Sequence, residues 1–183
     1  MKIHSKFILF IAIFVWATLL YSCDESKQIT SKTSNQQKDS ISTWIQYSRK
    51  KTNSLVQKKN YLSKAYKELT SKPNNTYKTK NLSVMAYRYY ELKDTLLFKK
   101  INSETQELAY QLKDSFTIAD THWNYADYYN KKQVYNKSYY HYNKAYQFFS
   151  KINKEYETAR MLYAMAFIKG RFRNFSESEI LAF

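Results

Sequence analysis

Alanine recurs at an interval of forty residues, at Ala86, Ala126 and Ala166, each between bulky neighbours: Met85 and Tyr87, Tyr125 and Asp127, Met165 and Phe167. A small side chain in such company lets two helices approach closely, where a larger one would cost about 1 to 3 kcal/mol in overpacking. Other positions keep the same register. Three residues on stand Tyr89, Tyr129 and Lys169; nine on, Thr95, Tyr135 and Phe175; twelve on, Phe98, Ser138 and Ser178. Ala65 and Ala145 are two periods apart. Similarity at a fixed period of two-helix size predicts an α-solenoid.

Composition supports an all-α chain and removes whole classes of chemistry. The single glycine, Gly170, rules out a P-loop or a G-x-G-x-x-G turn, which need several residues free to adopt positive φ. One cysteine excludes internal disulfides, C-x-x-C redox pairs and cysteine-rich zinc sites. One proline and one glycine cannot supply the tight turns of an all-β fold. Apolar spacing of three and four, as in Tyr61, Leu62, Ala65, Tyr66 and Leu69, predicts a helix that Pro73 and Asn74-Asn75 terminate.

The N-terminus has the order of a secretory signal: Lys2 and Lys6, then an apolar run from Phe7 to Leu20. That run reaches only about 21 Å as a helix, short of the roughly 30 Å hydrocarbon core. It closes on Leu20-Tyr21-Ser22-Cys23, which resembles a bacterial lipobox with Cys23 as the lipidated residue. The expected organisation is a signal peptide over 1–22, a lipidated Cys23 with a flexible tether over 23–42, and helical repeats over 43–183. Processing would remove two lysines and lower the formal charge from +15 to +13. Residues 24–42 lack aromatics and hold two isolated isoleucines, too little apolar surface to offset ordering entropy. The Asp24-Glu25 pair after the cysteine is similar to export signals on surface lipoproteins of Bacteroidetes-type bacteria. The expected location is therefore the cell envelope, on either membrane.

From His122 to Ser150, the residues Ala126, Tyr129, Tyr135, Ser138, Tyr142 and Ala145 resemble a tetratricopeptide repeat. The chain departs from that pattern in lacking the glycine before the turn and the terminal proline, and in a unit longer than the usual 34 residues. The resemblance implies a right-handed solenoid of helical hairpins. Units of this length are similar to those of Bacteroidetes-type signalling proteins that carry a histidine kinase or a helix-turn-helix domain. Phe175 to Phe183 would begin a further helix and stop after two turns, with Ile180, Leu181 and Phe183 apolar. A solenoid needs a polar cap, so a truncated sensor region of such a regulator is the alternative reading.

The resemblance also implies a concave face on the first helix of each hairpin. Its ligand-facing positions map onto Ser83, Tyr87 and Tyr90, then Trp123, Asp127 and Asn130, then Tyr163 and Phe167. The basic carboxylate clamp of some family members is not matched, because Ser83 and Tyr87 stand where that pattern wants Lys and Asn. His122 and His141 fall on different helices of one repeat without a Cys or carboxylate partner, so no metal site is expected. No nucleophile, base and orienting group can be assembled into a catalytic set, and no cofactor is implied. The 19 tyrosines beside 30 Lys and Arg could stack on nucleic acid, but rings at helical spacing suit interhelical packing better. The expectation is a non-catalytic, membrane-anchored scaffold for a protein or peptide partner.

Overall fold

The structure, a computed structural model, describes residues 39–171. Cys23, the proposed signal, nearly all of the tether and the segment Phe175 to Phe183 lie outside the described residues. Among the described residues seven helices follow one another: α1 (Ser40–Arg49), α2 (Leu55–Ser71), α3 (Thr76–Glu91), α4 (Thr95–Gln111), α5 (Ser115–Lys131), α6 (Tyr135–Lys151) and α7 (Glu155–Arg171). No strand occurs among the described residues. The unit is an all-α solenoid in which α1–α2, α3–α4 and α5–α6 pair as hairpins, and α5 also packs on α3. No helix among the described residues is long and apolar enough to cross a membrane.

The forty-residue period is two periods of twenty. Helices α4 to α7 begin at Thr95, Ser115, Tyr135 and Glu155, and each runs for 17 residues. At every turn of this series one residue has positive φ: Lys93 (60°), Lys113 (55°), Gln133 (59°) and Asn153 (56°). Such residues are usually glycine, because a Cβ crowds the backbone there. Paired backbone bonds hold the conformation instead. The N–H of Lys93 donates to the carbonyl of Tyr90 at 3.0 Å, and that of Asp94 to Tyr89 at 2.9 Å. The other three turns repeat the pattern, with Asp114 N–H on Ala109, Val134 N–H on Tyr129 and Lys154 N–H on Phe149.

Two turns fuse this ending with the next beginning. Asp94 accepts from the N–H of Leu97 through Oδ1 at 3.2 Å, capping α4, and Asp114 accepts likewise from Thr117, capping α5. Their remaining oxygens reach sideways, Asp94 to Lys59 Nζ at 2.6 Å and Asp114 to the Thr79 hydroxyl at 2.7 Å. The Lys59 ammonium holds the Asp94 carboxyl below its ordinary range. The α2–α3 junction differs because Pro73 cannot continue a helix. There the buried Lys78 ammonium donates to the carbonyl of Lys72 at 2.9 Å and to Asn74 Oδ1 at 3.0 Å, placing a cation at the C-terminal end of α2.

The recurring alanines lie where close approach is needed: Ala86 and Ala126 are wholly buried, and Ala166 nearly so. Ala65 and Ala145 are buried as well, with Thr105 in the intermediate register position. The core forms two clusters, one around Leu62, Met85 and Phe98, the other around Phe149, Met161 and Met165. One boundary moves. Helix α1 begins at Ser40, inside the stretch read as tether, because Ile41 and Ile45 are both buried in the first cluster. Arg88 fixes α1 from its far end, donating to the Ser48 carbonyl at 2.8 Å.

Candidate functional site

Helices α3, α5 and α7 together line two adjoining cavities. The first, of about 260 Å³, is bounded by Val84 and Tyr87 of α3, Asp120, Trp123, Asn124 and Asp127 of α5, and the arginines Arg49 and Arg160. The second, of about 320 Å³, shares Trp123, Asp127 and Arg160 and adds Tyr142, Tyr156 and Tyr163. The periodicity explains this placement. Asp120, Trp123 and Asp127 stand forty residues before Arg160, Tyr163 and Phe167, so successive first helices present corresponding residues on one side.

The expected concave positions divide. Tyr87, Trp123 and Asp127 line the first cavity, and Tyr163 lines the second with most of its surface exposed. Ser83 is instead completely buried and donates its hydroxyl hydrogen to Asp120. Tyr90 is drawn into the core, its ring centroid 5.6 Å from that of Phe98, and its hydroxyl donates to the Asp127 carbonyl at 3.3 Å. Asn130 and Phe167 border neither cavity; the Asn130 carbonyl receives the N–H of Gln133, and Arg171 covers the Phe167 ring at 4.7 Å. Asp120, Arg49, Tyr156 and Arg160 were not among the expected positions. The forty-residue spacing of Lys80, Asp120 and Arg160 was the available signal.

Both carboxylates are pinned. Asp120 accepts from Ser83 through Oδ2, and Asp127 accepts from the Tyr142 hydroxyl through Oδ1 at 2.6 Å. Burial pushes both carboxyls above their ordinary range, since water no longer solvates the charge; these hydrogen bonds oppose the shift. Burial likewise raises the Tyr87 and Tyr142 phenols, with the charge of Asp127 adding to it. Beneath the cavity, buried Asn124 donates to Asn102 Oδ1 at 3.0 Å and to Ser83 Oγ at 3.1 Å, and Asn102 donates to the Thr121 carbonyl at 3.0 Å. The chain of bonds Asn102–Asn124–Ser83–Asp120 therefore sets the position of the carboxylate from within the core.

A second cluster lies between α5 and α6. His122 and His141, on separate helices as expected, meet with their Nδ1 atoms 3.0 Å apart, and the Tyr110 hydroxyl lies 3.3 Å from His122 Nε2. Burial holds both imidazoles down to about 4, with the charge of the other ring adding to the effect at His122 and that of Lys137 at His141. No group of three or more His, Cys, Asp or Glu side chains suited to a metal ion occurs among the described residues.

No family model matches the chain, and neither a curated protein nor a solved structure matches it. The arrangement of seven consecutive helices in repeating hairpins is compatible with a tetratricopeptide-like fold.

Proposed function

We propose that the chain is a tetratricopeptide-like scaffold that binds a protein partner along α3, α5 and α7, without catalysis, and is held at a membrane through Cys23. The observation that carries the reading is the pair of cavities walled by Tyr87, Trp123, Tyr156 and Tyr163. Aromatic side chains bury large areas at little entropic cost, and together with a few fixed polar groups they are the usual anchors of protein recognition. Their exposure supports this role: Tyr156 is 68% and Tyr163 71% exposed, above the other exposed tyrosines among the described residues, Tyr77, Tyr110 and Tyr140. The carboxylates are tied to Ser83 and Tyr142, an arrangement that suits a fixed recognition surface.

The test is site-specific photo-crosslinking in cells with a benzophenone residue at Tyr163, compared with the same residue at Gln147 on α6. The expected result is a discrete adduct from position 163 alone; equal or absent adducts at both positions would refute the reading. Metabolic labelling with a fatty acid tests the anchor separately. Incorporation is expected in the wild type and lost in Cys23→Ala.

A further inference from the structure

The cavity between α3 and α5 is lined by two carboxylates, Asp120 and Asp127, and two guanidiniums, Arg49 and Arg160. Lys and Arg outnumber Asp and Glu by 30 to 15, yet here the two carboxylates are partly buried and the two guanidiniums are exposed. Asp94 and Asp114 have structural work as helix caps. Asp120 and Asp127 cap no helix: both stand inside α5, where aspartate is a poor helix former, and neither makes an ion pair among the described residues. A carboxylate drawn partly out of water with no cation at ion-pair distance is costly, and an arriving cation relieves that cost.

The protein's own Arg160 illustrates how the cavity treats such a cation. Its guanidinium lies over the Trp123 ring, 4.6 Å from the centroid, and 5.7 Å from the centroid of Tyr156. Its charge also favours the ionised form of Asp127, against the effect of burial. An aromatic face beside a fixed carboxylate is a favourable setting for a planar cation.

We propose that this cavity receives a cationic side chain, arginine above all, from the partner polypeptide, seated among Tyr87, Trp123, Asp120 and Asp127 in the place that Arg160 borders in the free protein. The inference rests on the reading of this face as a partner-binding surface. Arg49 and Arg160 also line the cavity, so an acidic partner is the opposed case. Burial decides between them. Both arginines are exposed and sit on long side chains that can swing aside, whereas the aspartates are short, partly buried and pinned by hydrogen bonds.

The experiment titrates the full 183-residue chain against fluorescein-labelled Ala/Ser nonapeptides carrying three arginines, three lysines or three glutamates, by anisotropy at about 150 mM salt. The arginine peptide is expected to bind most tightly. Asp120→Asn and Asp127→Asn should each weaken it about tenfold, as for loss of a charge-assisted contact. Arg160→Met, a change at an exposed position that leaves folding intact, should tighten it several-fold by removing the internal competitor. Preference for the glutamate peptide, or an arginine affinity unmoved by both aspartate variants and weakened by Arg160→Met, overturns the inference. A glutamate peptide that binds and is lost in Trp123→Ala overturns the cation while leaving the binding face standing. Binding of none of the peptides also overturns it, and the crosslink at position 163 then judges the face independently.

Discussion

The Nδ1 atoms of His122 and His141 lie 3.0 Å apart, so the α5–α6 seam is closed by two imidazoles that can share one proton but cannot both be charged at low cost. Their folded values, about 4, lie below the ordinary 6.5. Below about pH 6.5 the unfolded chain therefore binds more protons than the native one. Stability contributed by the neutral pair is present above that pH, is lost progressively as pH falls toward 4, and then levels off. The buried carboxyls act in the opposite sense, since their raised values favour the folded state as pH falls. Thermal melting at a series of pH values should show a decline from pH 6.5 to 4.5 that is reduced in His141→Gln. An equal decline in that variant would remove the pair as its source.

The four positive-φ residues carry a strain that glycine would not. Lys113 has φ of 55°, an exposed side chain and a backbone N–H already bonded to Tyr110. Lys113→Gly should relieve about 1 kcal/mol of crowding, offset in part by the greater entropy of glycine in the unfolded chain. A rise in melting temperature of about 2 to 4 °C is expected. A fall would show that the lysine side chain contributes contacts outweighing the backbone cost.

Helix α6 lacks the side-chain cap that α4 and α5 possess, because Val134 stands where their turns have Asp94 and Asp114. The Lys137 N–H already donates to Asn136 Oδ1 at 2.8 Å, so Val134→Asp should stabilise the unit through the remaining first-turn N–H groups and the helix dipole, by about 0.5 kcal/mol. Urea unfolding measures this as a higher midpoint with unchanged slope.

Ala126 is wholly buried, and its carbonyl accepts from the Ser138 hydroxyl at 2.9 Å. Ala126→Leu should push α5 and α6 apart and cost about 1 to 3 kcal/mol or more. Ala159→Leu, at an exposed position of α7, should change stability by no more than about 0.5 kcal/mol. Comparable losses in both would deny the alanine its role as a spacer.

These residues also show which parts of the fold can be read from sequence. The alanine register is visible because close helix packing restricts residue type, and the breaker at Pro73 is visible because it lacks an N–H. The turns are opaque: Lys93, Lys113, Gln133 and Asn153 share a conformation without sharing a chemistry, since backbone bonds impose it. The start of α1 is hidden by Ser40, Ser42 and Thr43, which surround the buried Ile41. In the cavity, Tyr87, Trp123 and Asp127 stand at ligand-facing positions that the resemblance to a tetratricopeptide repeat implies. Ser83 and Tyr90 do not, because a residue on the correct helical face still turns inward when a neighbour such as Asp120 or Phe98 offers it a partner. The contact between His122 and His141 depends on the rotation of two helices, which their separation of nineteen residues does not encode.

Asp94 and Asp114 each end one helix through the backbone N–H and start the next through the side chain. Neither neighbouring terminus can fray while the other stays intact, so the joint is mechanically indivisible. Under tension along the chain such a joint is expected to pass load from one helix to the next before it yields as a hinge.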